Sequence, residues 1–580
     1  MDVNVVIAGA AGEGIQTVGS IFSKAAARCG FAVFSWQEYE SRIRGGLNSY
    51  SIRVSTSVRN APRRDADVLL PLRKEARAKY RSWLNPRGLL IADERDDTDD
   101  VTEIFVPFSK LAREKWQNPI YSNTIAVGAL WSVIGGDFEV LQLAIEDEFK
   151  GKAENIIKSN IEAARDGYLF AEQSCQGICS WKLEKRIEAG QPHRVAPTII
   201  AGNPAIALGA VKAGCRFMAA YPMTPATGII TFLAQHRKEC KVFTEQAEDE
   251  IAAINMAIGA QFAGARAMTA TSGGGFSLMV EALSLAGMVE VPVVVVLAQR
   301  PGPATGLPTR TAQGDLLFAV HAGHGEFPRA VLAPSDPYEA FHKMVRAFNL
   351  ADKYQMPVIV MTDQFLADSQ FSISNFDVNL AKTAGQPHRV APTIASPTEF
   401  STYKRYVLTP SGISPRLYPG QSKHLVTADS DEHDEEGHIT EDLEGVAVPM
   451  MEKRLRKLKA LREEIKPPEK FFMEDDVEEV FVGWGSTRGA IFEAVEMLRK
   501  DGKRVGALHF TELWPLPELC PLEDFFPQKA TITVIEQNAT GQFATLLKRE
   551  FPIGSIKNML FYNGLPVTAQ DIRRSFYGRN

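Results

Sequence analysis

The sequence predicts an α/β protein made of three doubly wound α/β domains, and three observations carry that prediction. Short apolar runs of strand length alternate with segments of helical periodicity along most of the chain. Glycine-rich turns follow several of those runs and lead into helices. Two stretches of altered composition divide the alternation into three blocks, and 580 residues at 45% hydrophobic composition can furnish each block with its own core.

The first domain is expected at residues 1–180. Residues 3–9 read as a buried strand, Gly9-Ala10-Ala11-Gly12-Glu13-Gly14 as a glycine-rich turn, and the pattern through Ala26 as a helix, with strands following at 31–35, 49–54, 68–70 and 89–92. The polar stretch 181–197 reads as a linker. The second domain, 195–380, opens with a helix at 204–213 and a strand at 215–220, then runs through a helix at 252–262 and strands at 291–297 and 358–361. Residues 395–473 turn rich in Tyr, Pro, Asp and His and end in a charged helix at 451–465, which reads as an insertion flanking the active site, with a connecting helix. A strand at 477–483, a turn at 485–487, a helix at 488–500 and a strand at 505–509 open the third domain, 474–580. Residues 189–199 recur identically at 384–394, but their flanks do not match, so the repeat marks no duplicated domain.

Composition excludes several classes. A net charge of −6 with no dense Lys/Arg stripe gives no field for nucleic acid. The longest apolar run, 291–298, is far too short to span a membrane, and the first residues lead into a strand rather than a signal sequence, so a cytoplasmic protein is expected. The six cysteines are scattered and expected to be reduced thiols; Cys175 and Cys179 form a lone C-x3-C pair, too little for a metal or cluster site.

The residues suited to chemistry gather in the second domain. Tyr221-Pro222-Met223-Thr224-Pro225 follows the strand at 215–220. Each proline holds its predecessor extended, so Thr224 is presented on a stiff loop beyond a strand's carboxyl end, where open α/β sheets bind ligands. Taken alone, the motif is equally well explained as a plain strand exit. Glu245, Glu248, Asp249 and Glu250 then cluster where an alanine-rich helix begins, and helix capping with dipole stabilisation accounts for three of them. The turn Thr271-Ser272-Gly273-Gly274-Gly275 opens another helix, and its glycines let backbone approach a ligand closely. Last, an apolar strand delivers Gln299-Arg300 ahead of a Pro/Gly loop ending at Thr309-Arg310. An arginine there suits bidentate contact with a small carboxylate, or a structural ion pair.

In this order the four elements resemble the α subunit of the 2-oxoacid:ferredoxin oxidoreductases, and the resemblance covers nearly the whole chain. Y-P-M-T-P is similar to that family's Y-P-I-T-P, the acidic helix E-Q-A-E-D-E-I-A-A-I-N-M-A-I-G-A to its counterpart, T-A-T-S-G-G-G to T-S-G-P-G, and R-P-G-P-A-T-G-L-P-T to R-G-G-P-S-T-G-L-P-T. The departures at Gly274, Pro301 and Ala304 leave loop conformations open and keep Thr224, Arg300 and Thr309. The resemblance implies oxidative decarboxylation of a 2-oxoacid with thiamine diphosphate, coenzyme A and ferredoxin. It implies that Thr224 and Arg300 hold the 2-oxoacid carboxylate or the thiamine-bound substrate, with Thr309 nearby. Counting back along the helix from Ala263-Gly264 makes Glu250 the acid that hydrogen-bonds the aminopyrimidine ring, with Glu248 as the alternative. Tyr221, Pro222, Thr271, Ser272 and Gly273 complete the cofactor's pyrimidine half-site.

Residues 1–180 resemble the family's γ subunit fused ahead of α, by Gly9 to Gly14 and Tyr39-Glu40-Ser41-Arg42-Ile43-Arg44-Gly45-Gly46, which implies coenzyme A engagement with Gly12, Gly14 and Arg44 as candidates. A nicotinamide-binding Rossmann turn is the rival, though G-x-x-G-x-G is not its standard spacing. The region from 477 resembles a transketolase C-terminal domain, by residues 482–487, Trp514-Pro515-Leu516-Pro517 and Glu536-Gln537-Asn538, implying packing and subunit contact. Tyr403-Lys404-Arg405-Tyr406 and Gly412-Ile413-Ser414-Pro415-Arg416 resemble a family loop over the active site. The acidic tract 429–442, with His433 and His438, reads as a solvated loop rather than a metal site, because its acids lack ordered spacing. No G-D-G loop with a following Asn is present for Mg2+ and diphosphate, and no CxxC framework for a cluster. The resemblance therefore implies a β subunit carrying the diphosphate site, Mg2+ and a 4Fe-4S cluster, an active site at the αβ interface of an (αβ)2 assembly, and ferredoxin as electron acceptor. The γ–α fusion leans towards 2-oxoglutarate and succinyl-CoA; pyruvate, a branched 2-oxoacid, and a non-catalytic scaffold on the same fold are the alternatives.

Overall fold

The computed structural model of the chain describes residues 1–40, 45–95, 101–175, 178–179, 181–183, 197–374, 376, 401–474 and 476–578. Arg44 and nearly all of both copies of the eleven-residue repeat lie outside the described residues. The chain forms two compact units, one of residues 1–200 with 369–376 and one of the rest.

The first unit is built on one mixed sheet. Its strands run in the order Thr102–Phe105, Leu84–Ala92, Ala66–Pro71, Asp2–Ala11, Gly45–Ser55, Ala32–Glu38, Gln370–Ile373, Thr198–Ala201. Asp2–Ala11 lies at the centre and is buried on both faces along almost its whole length, which is why it reads as a continuous apolar run rather than an alternation. It is parallel to Ala66–Pro71 and antiparallel to Gly45–Ser55, so only half of this sheet is parallel. Sequence alone closes this domain at residue 180; in the structure Gln370–Ile373 returns and pairs with Ala32–Glu38, covering an edge that would otherwise be open. The expectation of reduced thiols is corrected at Cys175 and Cys179, which are joined as a disulfide. Helix Glu154–Ser174 ends just before them, and their Cα atoms lie 5.1 Å apart, within bridging reach.

The second unit holds two sheets over one continuous core. The larger runs Glu512–Trp514, Ala330–Leu332, Pro357–Asp363, Val293–Gln299, Ala267–Thr271, Phe217–Ala220, Phe243–Gln246, all parallel except Glu512–Trp514. The smaller runs Glu469–Phe471, Val505–Phe510, Glu479–Trp484, Thr531–Glu536, Ile556–Leu560. The C-terminal sequence thus lends an edge strand to the larger sheet, and buried Glu512 is bound there by Lys343 (2.7 Å) and Arg346 (2.6 Å) of helix Pro337–Tyr354. Phe243–Gln246, which the sequence presents as the lead into a helix, is an edge strand; the helix itself begins at Glu250.

Residues 401–464 are pinned to the back of this unit by a buried ionic cluster. Glu290 is paired by both Lys453 and Lys457, one turn apart on helix Val448–Glu464, while Arg405 donates to the Glu290 carbonyl (2.8 Å) and to Gln355 (2.9 Å). All four ionic groups are buried. Glu290 precedes strand Val293–Gln299 and Arg300 follows it, so residues 403–406 pack at the opposite end of that strand from Arg300 within this chain, not over it. The acidic tract is also less solvated than its composition suggests: His433 is buried against Tyr406, and Glu432 pairs with Arg454 (2.7 Å). Replacing Glu290 with Gln leaves three buried cations without their counter-ion. Unfolding in urea is expected to show a loss of about 3–5 kcal/mol. A change below about 1 kcal/mol would contradict the clamp's role. Among the described residues no helix is long and apolar enough to cross a membrane.

Candidate active site

Strands Phe217–Ala220, Ala267–Thr271 and Val293–Gln299 are adjacent and parallel, so the segments leaving their carboxyl ends converge at one edge of the sheet. Those segments are the Tyr221–Pro225 loop, the Ser272–Gly275 turn and the Arg300–Arg310 loop. The first and third meet directly: Arg300 donates from Nη1 to the Thr224 carbonyl at 2.6 Å. Arg300 has no carboxylate partner among the described residues, and burial lowers its basicity. A partly buried guanidinium with most of its donors free is an anion site in waiting. The first and second meet where Thr271 Oγ1 lies 3.9 Å from Met223 Sδ.

Glu250 is the first residue of helix Glu250–Phe262, capped by Asp249, whose carboxylate accepts the Ala252 N–H at 2.7 Å. The acids of this cluster therefore divide by burial. Asp249 serves the cap and Glu248 is exposed, whereas Glu250 is only 3% exposed. Its Oε1 is buried without a hydrogen-bond partner among the described residues. Burial raises its carboxyl above the usual range, and the neighbouring Asp249 adds to the shift. Gly275 makes room for it: a Cβ there would stand 2.1 Å from Thr271 Oγ1 and 2.5 Å from Glu250 Oε1. Ser272, before helix Gly273–Met288, is also buried, with an Oγ that has no partner. An orphaned buried carboxyl oxygen in a gap kept open by a glycine is what a hydrogen-bonding heterocycle would satisfy.

Tyr221 is exposed and Pro222 half-buried at the rim. Thr309 is half-buried on the far limb of the third loop, with no hydrogen bond to Thr224 or Arg300 shown. In the first unit, Gly14 caps helix Ile15–Arg28 with a left-handed backbone and Gly12 faces open space. Between them Glu13 accepts the Ala10 N–H (2.6 Å) and pairs with Arg73 (3.3 Å). Arg73, Lys74, Arg77, Arg95 and Arg113 line a cavity of about 360 Å3 beyond the carboxyl ends of Ala66–Pro71 and Leu84–Ala92. These distant basic residues give no local motif.

Asp315 is another residue that sequence reading passes over. Placed just before helix Leu316–His321, it has the look of an N-cap, yet it makes no cap bond. Its carboxyl instead stands against Gly273, where a Cβ would come within 2.7 Å, and burial pushes it up to about 6. With the folded value above the unfolded one, stability falls as pH rises from about 4 through about 6, and the deficit is complete above that. Asp315→Asn is expected to stabilise the chain by about 2–3 kcal/mol near pH 8 and hardly at all below about pH 4, read from thermal unfolding at both.

Three family models match the chain in succession: pyruvate ferredoxin/flavodoxin oxidoreductase over residues 4–170, pyruvate flavodoxin/ferredoxin oxidoreductase, thiamine diP-binding, over 208–453, and pyruvate:ferredoxin oxidoreductase core domain II over 477–572. The chain belongs to the 2-oxoacid:ferredoxin oxidoreductase family, in its α-subunit class. It is 31% identical to subunit alpha of 2-oxoacid:ferredoxin oxidoreductase 2 from Aeropyrum pernix, over 99% of this chain and 97% of that one. It is 28% identical to the 2-oxoglutarate oxidoreductase subunit KorA of Mycobacterium tuberculosis, over 98% and 91%. Among solved structures it matches 2-oxoglutarate:ferredoxin oxidoreductase from Magnetococcus marinus, which holds 2-oxoglutarate, coenzyme A and succinyl-CoA, with a TM-score of 0.88 and 32% identity over 100% and 99% of the two chains.

Proposed function

We propose that this chain supplies the pyrimidine half-site and the substrate arginine of an oxidoreductase that converts 2-oxoglutarate and coenzyme A into succinyl-CoA and carbon dioxide, passing both electrons to ferredoxin. The observation that carries the reading is the buried carboxyl of Glu250 in the gap left by Gly275, with its Oε1 unpartnered among the described residues. Thiamine diphosphate, when bound, supplies the carbon nucleophile and the electron sink for decarboxylation.

Glu250 would hold the ring nitrogen of the aminopyrimidine through its buried carboxyl, whose raised affinity for a proton suits it to exchange one there. Thr271, Ser272 and Gly273 wall that ring, with Tyr221 and Pro222 at its rim. Arg300 turns its free N–H groups on the 2-oxoacid carboxylate, aligned by the Thr224 carbonyl that holds its Nη1. Thr309 closes the carboxylate side. The cavity lined by Arg73, Lys74, Arg77, Arg95 and Arg113, which outnumber Asp93 and Glu94 in the same wall, lies beside the Gly12–Gly14 turn and suits the phosphates of coenzyme A.

The diphosphate with its Mg2+, and the 4Fe-4S cluster, fall to a β subunit in an (αβ)2 cytoplasmic assembly. In favour of such a partner, Ile251 and Met256 on the Glu250 helix, Leu278 on the next and Phe243 beside them are all exposed. An apolar face bordering a half-built site is suited to a subunit that completes it. The test is a comparison of 2-oxoacids with the copurified complex, following reduction of a low-potential dye with thiamine diphosphate and coenzyme A present. The expected result is a kcat/KM for 2-oxoglutarate at least about 100-fold above that for pyruvate. Preference for pyruvate or a branched 2-oxoacid would overturn the substrate assignment.

A further inference from the structure

After Thr309 and Arg310 the chain runs through residues 311–315 to helix Leu316–His321, and it crosses the C-terminal region on the way. Gln313 is wholly buried there, and each of its four polar atoms is bonded by that region. Its N–H donates to the Gln537 carbonyl (2.8 Å), and its carbonyl accepts from Asn538 Nδ2 (3.0 Å). Its Oε1 accepts the Gln537 N–H (3.0 Å), and its Nε2 donates to the Trp484 carbonyl (2.8 Å). On either side, Thr311 N–H donates to the Gly564 carbonyl (3.1 Å), and the Gln542 side chain holds the Gly314 carbonyl (2.6 Å) and the Leu317 N–H (3.0 Å).

The receiving turn is itself braced. Glu536 accepts the N–H groups of Phe543 (2.9 Å) and Ala544 (3.1 Å) together with Asn538 Nδ2 (2.8 Å), and Asn538 Oδ1 accepts those of Thr540 and Gly541. The loop is also tied where it leaves the sheet: Gln299, buried at the end of its strand, accepts the Asp315 N–H at 3.1 Å and donates to the Thr362 carbonyl at 3.3 Å. Both limbs of the segment from Arg300 to Asp315 are thereby fixed, one by the sheet and one by the C-terminal region. A gap-filling residue at position 313 would need volume only; two directed bonds from a buried side-chain amide, added to two from the backbone, specify a position.

We propose that Gln313 is a positioning residue for the 2-oxoacid, seated in the C-terminal domain so as to hold the loop that carries Arg300 and Thr309. That domain is then part of the substrate apparatus and not packing alone. The inference rests on the reading of Arg300 as the carboxylate ligand.

The experiment uses the copurified complex and measures KM for 2-oxoglutarate and for coenzyme A in Gln313→Ala, in Gln542→Ala, whose side chain is only half-buried, and in Arg300→Lys. Gln313→Ala is expected to raise KM for 2-oxoglutarate roughly tenfold, and Gln542→Ala about threefold, with the coenzyme A value within about twofold of wild type in both. Equal changes in both KM values, or none, would overturn the proposal. If Gln313→Ala does not assemble, Gln542→Ala decides by the same criterion. An Arg300→Lys variant with unchanged KM for 2-oxoglutarate would remove the reading beneath the proposal. A raised value there with unmoved Gln variants would overturn the proposal alone.

Discussion

Glu250→Gln is expected to lower kcat of the assembled complex by roughly 10²–10⁴-fold while leaving assembly intact. The substitution is isosteric and removes only the ability to exchange a proton. At an exposed position it would pass unnoticed, but Glu250 is 3% exposed, its Oε1 has no partner among the described residues, and burial raises its carboxyl. Holding a carboxyl in that state costs stability, so the same variant is expected to melt no lower than wild type in the chain free of cofactor. Glu248→Gln, at an exposed site in the same cluster, is the matched control and is expected to retain activity within about twofold. Should the two variants exchange behaviour, the pyrimidine acid is Glu248.

Arg300→Ala should cut kcat/KM for the 2-oxoacid by roughly 10²–10³-fold, with most of the loss in KM. The guanidinium donates to the Thr224 carbonyl, faces no carboxylate among the described residues, and is partly desolvated. Such an arginine is suited to an external anion, since it serves no internal ion pair among the described residues. Steady-state kinetics with 2-oxoglutarate check this, and KM for coenzyme A serves as the internal reference. A fall in kcat alone, with KM unmoved, would mean that Arg300 acts after substrate capture.

How much of this was readable beforehand follows from what each residue's neighbours are. The turn chemistry is local: prolines at 222 and 225, the glycine run 273–275 and the apolar strand before Arg300 announce loops at strand ends without any tertiary knowledge. The boundaries of helix Arg488–Lys500 and the identity of the central strands are local in the same sense. Burial is not local, and so the sequence cannot express that the helix start turns Glu250 inwards and leaves Glu248 exposed. Asp315 has the sequence signature of a cap and makes none, because its surroundings come from Gly273, far away in the chain. Gln313 carries no sequence signal at all: its partners lie at 484, 537 and 538, and only the finished fold assembles them. The return of Gln370–Ile373 to the first sheet and the burial of Arg405 against Glu290 are likewise long-range pairings that periodicity cannot express.

Reconstitution tests the division of the site between two chains. This chain and the proposed β subunit would be purified separately and mixed, and reduction of a low-potential dye followed with thiamine diphosphate, Mg2+, coenzyme A and 2-oxoglutarate. Each chain alone is expected to be silent, and the mixture to show reduction that requires both coenzyme A and 2-oxoglutarate. Turnover by this chain alone, or silence from a fully assembled complex with its cluster intact, would contradict the account.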